Sequence, residues 1–369
     1  MTGTLALPTM SFEFVQGVHL RRTDENIDEI EALAELCGGR VGVEAVLGDL
    51  DRRARRAWVP GLKVDRGYTW EWHDRVTRRW WPQGVTTSAD ANDTEEIGGR
   101  RCVLVAWYSR RVSGVGKGTR ISFLDPDAKR YRHVLLVEPV LEDGRVTLRP
   151  LEVHAGGMAW CGPYLHIAAT RKGFHTAVMD DLIRVPDHLH VDDHSRLGRE
   201  GDRMGTYNYR YLLPIRFSYQ SHNDDGVEPM RYSFLSLDRS GETPTLVAGE
   251  YGRGRKTTRL VRYPLDPESF HLVTGEDGFS RPLLLEEKGE AGMQGAAIVR
   301  DTWYVTASRG PFGLGAMYVG SPGRFTEHRW AMPMGPEDIS WWPSADLLWS
   351  ASEWPLRRWV FSMRRSSFD

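Results

Sequence analysis

Cysteine is scarce in this chain of 369 residues: Cys37, Cys102 and Cys161 are its three, and none sits in a CxxC or CxxH spacing. An odd count without such spacing excludes a disulfide framework and a cysteine-built zinc site. It reads as small buried hydrophobes in a reducing compartment. Long apolar runs are missing too. No stretch approaches the roughly 18 residues of a membrane span, and residues 1–8 lack the basic start and apolar stretch of an export signal. A soluble, cytoplasmic chain without a membrane partner is expected, secretion being the alternative if a signal has been removed. Nor is there an excess of one charge: 48 Lys and Arg against 50 Asp and Glu leave −2, which argues against a nucleic-acid partner. The sequence contains no GxSxG elbow, HExxH, Walker loop or GxGxxG ahead of a helix. The run Gly114-Val115-Gly116-Lys117-Gly118 looks like a phosphate loop, but it lies between two expected strands and lacks the helix such a loop needs.

What the chain does have is aromatic residues, 14 Trp, 13 Tyr and 12 Phe, in a pattern that favours strands. Residues 10–18 alternate apolar and polar, as a half-buried strand does. Ile27, Ile30, Leu33, Ala34 and Leu36 keep helical spacing up to a stop at Gly38-Gly39. A weaker helical run covers about 43–57, with Arg52, Arg53, Arg55 and Arg56 near its end. From there on, strand–turn–strand–loop–strand units recur, over about 82–140, 154–218, 230–286, 293–333 and 336–363. The expected fold is all-β, a single five-bladed β-propeller with six blades as the alternative. The strand at 10–18 would complete the last blade, and residues 24–57 would form a short helical insertion.

In such a fold the loop entering strand one and the loop after strand two of each unit share a face. The entries carry Gln83, His154, Arg231, Gln294 and Glu337 with Asp338, and the second loops bring Arg171, Glu250, Tyr251 and Arg309. Polar groups from every unit therefore converge on one mouth. Architecture alone accounts for part of this, since strands beside a water-filled channel need polar satisfaction and Gly84, Gly157 and Gly295 suit tight packing at the axis. The chemical diversity of the ring points further, to Glu337 and His154 as an acid/base pair. Arg171 and Arg309 would hold an anionic group, with Gln83 and Gln294 hydrogen-bonding the ligand.

The polar stretch Tyr219–Gly226, which contains His222, is expected to overhang the same mouth, where it could offer oxygen ligands to calcium or another divalent ion; a bare turn is the plainer account. His188, His190, Asp192 and His194 have metal-ligand types but fall on the opposite face, as an exposed insertion. No cofactor is required by these residues.

The phrases Pro82-Gln83-Gly84-Val85-Thr86-Thr87-Ser88-Ala89-Asp90, His154-Ala155-Gly156-Gly157, Val247-Ala248-Gly249-Glu250-Tyr251 and Gly335-Pro336-Glu337-Asp338 together resemble a family of actinobacterial propeller-like proteins, many described only as secreted or hypothetical. The resemblance covers roughly 65–363. It implies the propeller fold and brings no assigned activity or catalytic residue. The lack of an export signal sets this chain apart from that pattern and suggests an intracellular role in a biosynthetic pathway.

Two functions fit these observations. The first is a hydrolase, lyase or cyclase acting by acid/base chemistry on a small polar or sugar-like molecule. The second is a non-catalytic propeller binding a glycan or a protein partner through the same rim and its aromatic residues Trp107, Tyr251 and Trp354. Neither oligomeric state nor substrate is legible.

Overall fold

The computed structural model of the protein describes residues 12–369. Strands dominate it, arranged as five antiparallel meanders whose first strands meet at a common axis. The first runs Trp80–Thr87, Val103–Ser109, Thr119–Asp125 and Arg130–Glu142, and the second Met158–Cys161, Tyr164–Ala168, Phe174–Val178 and Tyr211–Asn223. Their outer strands pair in parallel, Leu212 opposite Leu135 and Pro214 opposite Val137, which fuses the two into a 12-stranded sheet. The third meander comprises Phe234–Asp238, Thr245–Gly249, Leu260–Pro264 and Leu284–Glu286. The fourth comprises Met293–Val299, Thr302–Ala307, Gly315–Ser321 and Arg324–Met332. The fifth has only Pro336–Trp342, Leu347–Ser352 and Trp359–Arg364 from the C-terminal end of the chain.

Apolar side chains fill the space between adjacent meanders and so explain the circular arrangement. Leu104, Phe123, Met158 and Ile167 pack between the first and second, and Ala159, Phe174, Leu235 and Val261 between the second and third. Phe234, Val247, Ile298 and Trp303 fill the next interface, Ala297, Tyr304, Ile339 and Phe361 the one after. Val85, Trp107, Trp342 and Trp349 close the ring between fifth and first. Each sheet thus buries both faces, which is why Val103–Trp107 reads as one continuous apolar run rather than an alternation.

The last meander is completed by Val64–Thr69, with Val360 opposite Tyr68 and Phe361 opposite Gly67. This corrects the expectation that residues 10–18 close it. Met10 and Ser11 lie outside the described residues, residues 12–17 form no strand, and the strand that follows, Val18–Arg22, pairs with Tyr219–Asn223 on the outside of the second meander. Both segments cover an exposed edge. The choice between them is a matter of which apolar face fits: Tyr68 stacks on Trp349 with ring centroids 6.1 Å apart, whereas Val18 and Leu20 belong to the core beside Tyr219 and Leu235.

The helical insertion consists of Ile27–Cys37 and Gly42–Gly48. The first ends at Gly38, left-handed at φ 85°, and the amides of Gly38 and Gly39 return to the carbonyls of Glu35 and Ala34. Its buried face, Leu33, Ala34 and Cys37, rests on Leu135, Val137 and Ile183. The arginine cluster does not end a helix. Arg52–Arg53 pairs with Arg130 and Tyr131, and Arg55–Arg56 with Tyr68 and Thr69, so these residues extend two sheet edges. No helix among the described residues is long and apolar enough to cross a membrane.

Candidate functional site

Glycine decides how closely the first strands approach at the axis. A Cβ on Gly84 would lie 2.7 Å from the carbonyl carbon of Gly157, one on Gly157 2.0 Å from the amide nitrogen of Leu235, and one on Gly295 2.6 Å from the Cα of Asp338. The axis is therefore pinched by backbone rather than open as a channel. Asp338, fully buried at the pinch, ties three strands together: its Oδ2 accepts the amide hydrogens of Val85 and Met158, both at 3.0 Å. Burial, reinforced by nearby Asp90, raises its pKa well above the ordinary carboxylate range against the pull of these amides. Asp338 is thus a strut beneath the mouth rather than a ligand-facing group, a correction to its expected role.

Above the pinch lies a cavity of about 480 Å³ lined by Gln83, His154, Arg231, Gln294 and Glu353, with Thr170, Ser233, Tyr251 and Lys256 on its walls. The first four entries of the sequence ring thus meet in one space. The fifth, Glu337, is buried one layer down and accepts a hydrogen bond from Gln294 Nε2 at 3.1 Å. Gln83 makes the matching contact across the mouth, its Nε2 donating to Glu353 Oε2 at 3.3 Å and to the Pro82 carbonyl at 2.8 Å.

The electrostatics of the floor follow from this enclosure. Burial, then the neighbouring Glu353 and Asp338 carboxyls, raise the Glu337 pKa well above its usual value against the pull of Gln294, and so favour its protonated form. Burial likewise raises Glu353 to about 7, against the opposing effects of Gln83, Arg358 and Arg110. Tyr108 is pushed up to about 12 by burial and by Glu353. His154 has its ring open to the cavity and 4.4 Å from that of Tyr108. The surrounding walls disfavour its cation and lower its pKa.

Other predicted residues lie elsewhere or do something else. Arg171 is exposed and off the cavity lining. Arg309, also exposed, pairs with Glu327 on the fourth meander. Both follow a second strand on loops long enough to carry their side chains outward. Glu250 is buried and consumed by Arg259, whose Nη2 and Nε donate to it at 2.8 and 3.0 Å, and by the Arg231 amide at 3.0 Å. These bonds outweigh burial and keep its pKa low. It therefore anchors Arg231, which with Lys256 brings positive charge to the cavity and whose Nη2 lies 3.7 Å from Glu250. Tyr251 is on the wall as expected. His222 is not at the mouth: it belongs to the strand Tyr211–Asn223, stacked 5.9 Å from His19. That strand pairing also removes the expected overhanging loop. Trp107 is fully buried, its Nε1 donating to Ser122 Oγ at 2.7 Å, so it is no rim aromatic. Trp354 is half-buried beside Trp81, ring centroids 5.3 Å apart. Among the described residues no group of three or more His, Cys, Asp or Glu is placed to hold a metal ion.

Glu353 is the residue the sequence ring undervalued. Its position after a second strand was legible, but its burial against Gln83 was not.

No protein family matches the chain, and no curated protein matches its sequence. Solved structures with a similar course include a GH43_1 enzyme from Xanthomonas citri complexed with xylotriose (10% identity over 91% of this chain and 92% of that one, TM-score 0.32). A gluconolactonase from Xanthomonas campestris gives 12% identity over 86% and 89%, TM-score 0.33. The β-propeller domain of Myceliophteria thermophila Cps50 gives 10% over 78% and 98%, TM-score 0.35. Likeness at this level does not bear on the chemistry of this chain.

Proposed function

We propose that the protein is a five-bladed propeller, its five meanders counted as blades, whose axial cavity is an acid–base active site for a small, uncharged, hydroxyl- or carbonyl-bearing molecule. Hydrolysis, elimination and cyclisation all belong to the reaction class. The observation that carries this reading is a pair of carboxyl groups at one cavity, Glu353 on its lining and held by Gln83, Glu337 buried beneath it and held by the lining residue Gln294. Two interacting carboxyls with one kept protonated and the other poised near neutrality supply a proton donor and an acceptor at the same pH.

In this assignment Glu353 exchanges the proton, Glu337 stays protonated and donates a hydrogen bond, and neutral His154 is a second base. Gln83 and Gln294 orient the carboxyls and offer their remaining amide positions to ligand hydroxyls. Arg231, anchored by Glu250, takes the orienting role first given to Arg171 and Arg309. A cavity of about 480 Å³ suits a ligand of one or two sugar rings.

The test is a panel of neutral glycosides, lactones and polyols, followed for binding by ligand-detected NMR and for conversion by product analysis. Glu353→Gln is expected to lower turnover by roughly 10²–10⁴ while leaving ligand binding within a few-fold. A panel member that binds but is never converted, with binding lost only in Tyr251→Ala or Trp354→Ala, would instead establish the non-catalytic glycan-binding alternative.

A further inference from the structure

A second cavity, of about 380 Å³, opens on the outside of the first two meanders, and its lining is strongly cationic: Arg52, Arg79, Lys117, Arg120, Arg132 and Arg210, against the single carboxylate of Asp51. Four of these cations have partners. Arg120 and Arg52 share one buried carboxylate, Asp74, at 2.8 and 3.3 Å. Arg132 pairs with Asp49 and Asp51, and Arg210 with Asp187.

Arg79 and Lys117 differ from the rest. Neither has a carboxylate within ion-pairing distance among the described residues. Their heads rest on carbonyl oxygens instead, Arg79 Nη1 on Val115 at 2.9 Å and Lys117 Nζ on His194. Burial, then the charge of Arg79, lowers the Lys117 pKa and outweighs the opposing pull of Asp193, which lies near but beyond ion-pairing distance. Behind them Arg120 is a fixed charge, buried with its guanidinium 4.6 Å from the Trp80 ring and 4.8 Å from the Trp107 ring. Two segments with no place in the axial site meet here: the glycine-rich run around Lys117 and the histidine-rich loop ending at His194.

We propose that this cavity binds the phosphoryl group of a small phosphorylated metabolite, with Lys117 and Arg79 contacting the anion and Arg120 completing the field behind it. Two cations without an ion-pair partner match the charge of a phosphate dianion, and an ammonium beside a guanidinium fork matches its tetrahedral oxygens. Trp80 and Tyr207 line the cavity with Arg120 and Lys117 set over their rings, 4.6 and 5.1 Å from the centroids, and the volume excludes a polymer from full entry. This site is independent of the acid–base reading of the axial cavity.

Calorimetric titration of the full chain with inorganic phosphate, ribose 5-phosphate and citrate tests it. Saturable binding of ribose 5-phosphate is expected, weakened about tenfold or more by Lys117→Met and by Arg79→Gln, and unchanged by Arg171→Gln, an exposed residue off this cavity's lining. In the wild-type protein, ribose 5-phosphate should also protect Lys117 from acetylation, read by mass spectrometry, so the outcome does not depend on the variants folding. Absence of binding at concentrations on the order of 10 mM, failure to protect Lys117, or citrate bound as well as the phosphate ester would overturn the proposal.

Discussion

Arg358 donates from Nε to the backbone carbonyl oxygen of Glu353 at 2.8 Å, which places a fully buried guanidinium behind the carboxyl that faces the axial cavity. Its Nη1 holds the carbonyls of Asp74 and Thr77 at 2.9 and 2.7 Å. Burial, with Arg120 nearby, lowers its own pKa to about 9.

Removing that charge should change Glu353. Arg358→Met is expected to raise the Glu353 pKa above about 7, because Arg358 favours the carboxylate. Three carbonyl oxygens lose their donor, at a cost of about 1–3 kcal/mol each if none is rehydrated. Carboxyl-carbon NMR titration and urea unfolding read the two effects separately, and an unchanged Glu353 titration would remove Arg358 from the site.

Glu353 should also make stability depend on pH. Its folded pKa is raised, so the folded state holds the proton more tightly than the unfolded chain. The resulting stability is present in full below the ordinary glutamate value of 4.5 and is lost as pH rises through about 7. In Glu353→Gln the slope of unfolding free energy over that window should be shallower, as measured by urea midpoints at several pH values.

Asp338 is expected to matter for the fold rather than for turnover. Asp338→Ala leaves the amides of Val85 and Met158 without an acceptor, a loss on the order of 2–4 kcal/mol. Asp338→Asn keeps an amide oxygen in place and should lose much less. Equal destabilisation by both would mean that the negative charge, not the acceptor, ties the strands.

Gly157→Ala should be among the most damaging single-methyl additions, because the new carbon meets backbone, 2.0 Å from Leu235 N and 2.4 Å from Phe234 Cα. A loss of about 3 kcal/mol or more, or failure to fold, is expected. Gly48→Ala, with nothing within 4 Å of its Cβ, is the control and should be neutral or slightly stabilising in thermal melts.

The three thiols should be silent in the native protein. Cys37, Cys102 and Cys161 are free and buried, and burial raises each thiol, Cys37 to about 11. Aromatic-disulfide titration is expected to report no reactive thiol until denaturant is added, and all three thereafter.

Much of the architecture could be read from residue order alone. Strand–turn–strand periodicity is a local signal, so the segments around Val103–Ser109, Met293–Val299 and Leu347–Ser352 were recognisable without partners. Gly84, Gly157 and Gly295 announced a crowded axis, and the polar residue next to each strand entry announced a shared mouth, because both follow from where a strand begins.

Tertiary structure alone decided the rest. Residues 64–69 and 18–22 are both short strands able to cover an edge, and only the fit of Tyr68 on Trp349 assigns the closing role. Whether a polar side chain serves a ligand or the fold depends on neighbours far away in sequence. Glu250 is neutralised by Arg259 while Glu353, in the same topological position, meets Gln83 from the opposite end of the chain. Desolvation and charge pairing act through space over a few ångströms, so no pattern of residues along the chain could have separated them.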